Sequence, residues 1–165
     1  MKIGRITVSD RASAGIYEDR SGPEIEKVLG EFFSNEAKFE RAMVPDEIEK
    51  ISATLKKFAD ELRCDLVVTT GGTGIAARDV TPEATRPVLE KELPGFSEAM
   101  RMQSLARVKT AILSRALAGT RGRTLIVNLP GKPSAVRECL EILAPAMLEG
   151  MAHLRGEDPH KNMRP

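Results

Sequence analysis

The chain has 165 residues, enough for one domain with a sizeable core. Its formal charge is +1, from 25 basic and 24 acidic residues, which argues against capture of nucleic acid or of an anionic membrane by net charge. Aromatics make up 4% with no Trp, which leaves little for stacking single strands and makes the core aliphatic.

Residues 3–9, "IGRITVS", alternate apolar and polar and predict a first strand. Ile25, Val28, Leu29, Phe32 and Phe33 then share one helical face, with Pro23 in the first turn. "FERAMVP" reads as a second strand. Asp46 is placed to cap the next helix, with Glu49 three residues on, a variant of capping-box spacing. Ile48, Ile51, Leu55, Phe58 and Leu62 keep the helical period. "DLVVTT" is a short apolar run, the kind buried on both faces of a parallel sheet.

Thr81 and Pro82 predict an N-cap and first helical residue. "PGFSEAMRMQSL" reads as a helix after the break at Pro94 and Gly95. "SRALAGTRGRTLIVNLP" reads as two strands joined through Arg121, Gly122 and Arg123 as a hairpin. "PSAVRECLEILAPAMLEGMAHLRG" is helical, with Pro145 expected to kink or divide it. Strand alternating with helix predicts an α/β fold: three layers, with helices on both faces of a mainly parallel sheet that carries a small hairpin. The expected organisation is one domain over residues 1–156 and a polar tail over 157–165.

Cys64 and Cys139 lie far apart with no Cys or His at metal-ligand spacing, so both read as reduced packing residues. The N-terminus is interrupted by Arg5 and Asp10 and does not read as a signal peptide. No apolar run approaches the roughly 20 residues of a membrane span. A cytoplasmic location without a membrane partner is the expectation.

Ligands of such sheets bind at the carboxyl ends of the strands. Three strand ends here carry small, polar loops: "SDRAS" (9–13), "TTGGTG" (69–74) and "NLPGKP" (128–133). Gly71, Gly72 and Gly74 let backbone amides converge on an anion, with Thr70 and Thr73 adding hydroxyls. The pattern is neither a Walker loop nor G-x-G-x-x-G, and a plain tight turn explains the glycines equally well.

Asp79 follows Arg78 just after the glycines. A carboxylate beside a phosphate cradle calls for a cation, and Mg2+ is commonly held by one or two carboxylates plus substrate phosphates. The competing account makes Asp79 an Asx-turn residue before the Thr81 helix, Glu83 a first-turn acid, and Asp46 only a cap. Ser9 and Asp10 are candidate ligand contacts, and Arg11 a pairing partner for a neighbour. Asn128, Pro130, Gly131 and Lys132 form the third loop, in which Lys132 either reaches a phosphate or is a solvated lysine beside a turn. His153 and His160 read as surface residues, and Met100, Met102 and Met147 as packing.

Taken together, "TTGGTG…RDVTPEAT", "LPGFSEAMRMQS", "SDRAS", "VPDE" and "NLPGKP" resemble one family over nearly the whole chain, from about residue 2 into the last helix. It is the molybdenum-cofactor biosynthesis family of bacterial molybdopterin adenylyltransferase, its MoaB-type relatives and the G domains of two-domain homologues. The resemblance implies a three-layer α/β homotrimer that uses Mg-ATP to adenylate the terminal phosphate of molybdopterin, releasing pyrophosphate. It matches Asp46 and Asp79 to the family's two essential aspartates, so Asp46 becomes more than a cap. It also matches residues 71–74 and 128–133 to its loops, although the position of Lys132 varies among relatives. Residues 1–165 do not include the long C-terminal extension of some bacterial members or an insertase domain, so a separate partner protein is expected to carry out molybdate insertion.

In that picture Asp79 holds Mg2+, Asp46 binds metal or fixes the pterin, the glycine-loop amides and Thr73 cradle phosphate, and Arg78 offsets charge. Two rivals stay open on these residues: a competence-damage-type nucleotide hydrolase on the same fold, and a non-catalytic molybdopterin carrier.

Overall fold

The alternating N-terminal pattern forms β1 (Lys2–Val8) in the computed structural model, which describes residues 1–33 and 37–157. The chain continues through α1 (Asp10–Ser13), α2 (Ser21–Phe32), β2 (Lys38–Val44) and α3 (Ile48–Lys56) to β3 (Leu66–Thr70). Then come α4 (Thr81–Thr85), β4 (Lys91–Glu92), α5 (Pro94–Leu105), β5 (Ala118–Arg121), β6 (Thr124–Leu129) and α6 (Pro133–Leu154). The sheet order is β2-β1-β3-β6-β5-β4, with the first four strands parallel, β5 antiparallel to β6, and β4 antiparallel to β5.

Side chains alternate across this sheet, as the period of two requires. Ile3, Leu66, Val68, Leu125 and Val127 face one cluster, together with Ile25, Leu29, Leu140 and Met147 of α2 and α6. Ile6, Val67 and Ile126 face the other, with Ile51 and Leu55 of α3 and Ala84 of α4. Helices therefore cover both faces, and the three-layer expectation holds. Each fully buried side chain such as Leu140 or Met147 contributes about 1.5–3 kcal/mol over its exposed state. The two thiols are free and buried, and burial pushes both up to about 11.

Several local expectations change. Phe32 is 45% exposed, because the buried stripe of α2 ends at Leu29 and Gly30. After α3 the chain widens into a π-helical turn (Lys57–Glu61), in which the Leu62 amide reaches back to the Lys57 carbonyl at 2.9 Å. Phe58, three residues after Leu55 and on the same helical face, stays buried at the start of this turn. Helix α6 runs unbroken through Pro145. The β5–β6 hairpin closes over Gly122 and Arg123, with Gly122 at φ +54°. Strand β4 has no alternation to announce it, being two exposed charged residues paired to Gly119 and Thr120. Residues 158–165 of the expected tail, His160 among them, lie outside the described residues.

Strand β2 lies on one side of β1 and β3 on the other, so the winding reverses between β1 and β3. Their carboxyl ends part to leave a crevice at that point, where open α/β sheets bind ligands.

Candidate functional site

The pairing register brings the three strand-end loops together. Thr7 stands opposite Thr70, and Thr70 opposite Leu129, so Ser9, Gly71 and Pro130 all emerge at one edge. A cavity of about 400 Å³ opens there, walled by Ser9, Asp10, Asp46, Gly71, Gly72 and Asp79, with Thr70 and Gly131 at its border. A larger space of about 770 Å³ lies between α4, α5 and β5, and none of the three loops enters its wall.

The glycines are required sterically as well as conformationally. Gly71 sits at φ +99° and Gly72 at φ +64°, a region costly for residues with a Cβ. A Cβ on Gly71 would stand 2.3 Å from the Val8 carbonyl oxygen, and one on Gly72 would stand 3.0 Å from Asp46 Oδ1. The loop thus lets the Asp46 carboxylate approach its backbone. The Gly71 amide is engaged by the Leu129 carbonyl at 3.2 Å, so the loop meets the cavity with fewer donors than its four residues suggest.

Asp46 is not the cap of α3. Glu47 occupies that position, without a side-chain cap bond. The Asp46 Oδ2 instead accepts the Asp10 amide at 2.8 Å, while Asp10 Oδ1 accepts the Asp46 amide at 3.0 Å. Arg78 closes a fork on Asp10, with Nε and Nη2 donating at 2.9 and 2.8 Å. That hydrogen-bonded charge, with the Asp46 amide, holds the Asp10 carboxyl below its ordinary range. Asp46 is shifted the other way, first by burial and further by the charges of Asp10 and Asp79, against the opposing Asp10 amide and Arg78.

Asp79 combines both readings made of it. Its Oδ2 accepts the Ala76 amide at 2.8 Å, closing a turn, while the residue also walls the cavity.

Other expected residues hold the loops together through their own hydrogen bonds. Val80, not Thr81, occupies the cap position of α4, and Thr81 is fully buried with Oγ1 donating to the Gly71 carbonyl at 2.8 Å. Thr70 Oγ1 donates to the Pro130 carbonyl at 2.8 Å. Asn128 lies inside β6 with 0% exposure, its amide nitrogen donating to Thr69 and Thr85 hydroxyls at 3.0 Å each. Ser9 caps α1 through the Ala12 amide at 3.2 Å. Thr73 is buried, and Lys132 is exposed at the start of α6, with the cavity wall ending at Gly131.

A family model described as a probable molybdopterin-binding domain matches residues 4–149. The chain belongs to this molybdenum-cofactor biosynthesis family. It is 57% identical over 145 residues to the molybdopterin adenylyltransferase of Helicobacter pylori strain J99, covering 88% of this chain and 82% of that one. Against the enzyme of that name from Escherichia coli K12 the identity is 48%, covering 86% and 72%. The molybdopterin biosynthesis enzyme MoaB of Thermus thermophilus superposes with a TM-score of 0.85 at 42% identity, over 94% of this chain and 97% of that one.

Within this family fold, a residue that the sequence reading passed over binds the glycine loop from outside. Arg115, preceding β5, donates from Nε to the Gly74 carbonyl at 2.7 Å and from Nη2 to the Asp79 carbonyl at 2.6 Å, and pairs with Glu83. Its own amide donates to the Thr73 carbonyl at 2.9 Å. No local pattern marks such a residue, because its side-chain partners lie 32 to 41 positions away. Asp19 was also missed. It accepts the Gly22 amide at 2.9 Å, Thr7 Oγ1 at 2.7 Å and Arg5 Nη1 at 2.9 Å, beneath the cavity. Its signal was local, an acid three residues before Gly22 at a helix start.

Among the described residues no group of three His, Cys, Asp or Glu side chains forms a ready metal cage. The family's expected Mg2+ does not need one, since one or two carboxylates suffice when substrate phosphates complete the shell. Asp46 and Asp79 meet that requirement: both wall the cavity, and Asp46 is a half-buried carboxylate under the influence of two like charges, which a cation would relieve.

Proposed function

We propose that the chain is a molybdopterin adenylyltransferase that transfers AMP from Mg-ATP to the terminal phosphate of molybdopterin, with release of pyrophosphate. The observation that carries this reading is the convergence of three strand-end loops and two half-buried acids on one cavity. It does so in a chain whose relatives at 48–57% identity bear that name.

The attacking group is a phosphate monoester with a second pKa of about 6, so it is already an oxyanion at neutral pH and needs no general base. The difficulty is bringing that anion to the α-phosphorus of a highly charged nucleotide, so neutralisation and alignment dominate. When bound, Mg2+ supplies positive charge to the phosphates, held by Asp79 and Asp46. The missing side chains of Gly71 and Gly72 let the loop pack against the Val8 carbonyl, Thr81 and the Asp46 carboxylate, which sets its backbone in the cavity wall beside the site proposed for the phosphates. Arg78 keeps Asp10 neutralised, so that the site's negative charge is concentrated on Asp46 and Asp79.

The same reading carries a homotrimer, a cytoplasmic location and hand-over to a separate molybdate-insertase protein, all by family resemblance. Among the described residues no helix is long and apolar enough to cross a membrane.

The test is Asp79→Asn, which keeps an oxygen for the Ala76 amide and removes the charge. Pyrophosphate release from Mg-ATP plus molybdopterin should fall by several kcal/mol of transition-state stabilisation, more than about 10³-fold. Wild-type release from a folded Asp79→Asn protein would remove the assignment.

A further inference from the structure

Phosphate and metal chemistry account for the acids and glycines of the cavity and leave one stretch of wall unexplained, that of Arg11 and Tyr17. Tyr17 is 52% exposed and is the only tyrosine in a chain without Trp. Its position is built by the backbone. Gly15, at φ +72°, turns the chain back after α1, and the amides of Ile16 and Tyr17 both donate to the Arg11 carbonyl, at 2.9 and 3.2 Å. The ring is thereby folded onto Arg11, whose guanidinium carbon lies 5.3 Å over its centroid. A cation against one face orients an aromatic ring and leaves its other face available for stacking.

We infer that Tyr17, backed by Arg11, is the stacking wall for the flat heteroaromatic ring of a bound substrate. This rests on the adenylyltransferase reading, which supplies two such rings, adenine and pterin. Asp19, the neighbouring cavity residue, is already committed to Arg5, Thr7 and Gly22, and provides no competing ring contact. Specificity for a planar ring then comes from the loop between α1 and α2, while the reacting phosphates lie at the glycines and acids. Tyr17 offers a π-face and accepts either ring.

The chain's composition makes the test direct, because tyrosine emission of the whole protein reports on Tyr17 alone. The native protein is titrated separately with Mg-ATP and with molybdopterin, following emission and, by calorimetry, affinity. Tyr17→Phe and Tyr17→Ala, which lack that emission, are titrated with the same ligands by calorimetry alone, with circular dichroism to verify folding. The ring that stacks should quench the emission. Tyr17→Ala should weaken binding of that ligand by about 5- to 100-fold while Tyr17→Phe leaves it nearly unchanged. Arg11→Gln, which keeps the backbone acceptor, should weaken it by about 2- to 5-fold. Since a pterin also quenches by energy transfer without contact, the contrast between Phe and Ala decides that arm. Loss with ATP alone assigns adenine to Tyr17, and loss with molybdopterin alone assigns the pterin. If the native protein binds both ligands and Tyr17→Ala binds them as tightly, the stacking wall is refuted and the adenylyltransferase reading stands. If the native protein binds neither, both fall.

Discussion

Replacing Arg115 by Ala removes the clamp on the glycine loop without entering the cavity. Two charged hydrogen bonds are lost, to the carbonyls of Gly74 and Asp79, together with the pair to Glu83. Hydrogen bonds from a charged donor are worth about 1.5–3 kcal/mol each. The Glu83 pair is well exposed on both sides and adds at most about 1 kcal/mol. Water regains part of the two carbonyls, so a net loss of about 2–4 kcal/mol is expected. For a chain of this size that is a fall in melting temperature of roughly 5–15 °C. The larger effect should be on the reaction, because the freed segment carries Asp79. A shift of about 1 Å in a positioned group can cost roughly 100-fold. The assay is pyrophosphate release at a temperature where the variant is fully folded. Arg115→Lys, which keeps the charge but cannot fork to two carbonyls, should fall between the two. An Arg115→Ala protein that melts and turns over like the native one would refute the clamp.

Three further outcomes are expected. Gly71→Ala forces a Cβ to within 2.3 Å of the Val8 carbonyl at φ +99°, and should destabilise by about 3 kcal/mol or more, or prevent folding, as read from denaturant midpoints. Acid sensitivity should come in part from the Arg5 network. Asp19 is lowered although burial alone would raise it, because the Gly22 amide, the Thr7 hydroxyl and the Arg5 charge outweigh burial; Glu26 is lowered chiefly by Arg41, with Arg5 adding. A lowered folded-state value means that the unfolded chain takes up protons first, so this stability is whole above about pH 5 and is lost as pH falls below about 4. Arg5→Met should lose about 2–4 kcal/mol at neutral pH and show a flatter acid limb in thermal melts; an unchanged limb would count against the network. Asp46→Asn retains an acceptor for the Asp10 amide, so it should fold normally while pyrophosphate release drops by at least about 100-fold.

What could be seen in the sequence was whatever is encoded over short spans. The buried run ending in Thr70, the hairpin at Gly122 and the glycines after β3 were all visible, because each follows from periodicity or backbone freedom within a few residues. Asp46 shows where local reasoning goes astray. An acid before an amphipathic helix satisfies every capping rule, yet β1 ends beside it and offers the Asp10 amide, a partner 36 positions away. Thr81 and Asn128 make the same point, since only the sheet register reveals that their polar atoms bond inside the fold. Arg115 was out of reach, its partners being separated from it by two helices and a strand.

The reciprocal bonds between Asp10 and Asp46 carry one more implication. Each residue offers its amide to the other's carboxylate, so the ends of β1 and β2 cannot drift apart without both bonds breaking together. The gap between the Asp46 acid and the glycine loop is therefore gauged by the polypeptide before anything arrives. Ordering entropy at that end of the site has been met during folding, and a ligand entering it inherits a rigid seat. Binding there should resemble a key entering a lock, with little rearrangement of the β1 and β2 ends.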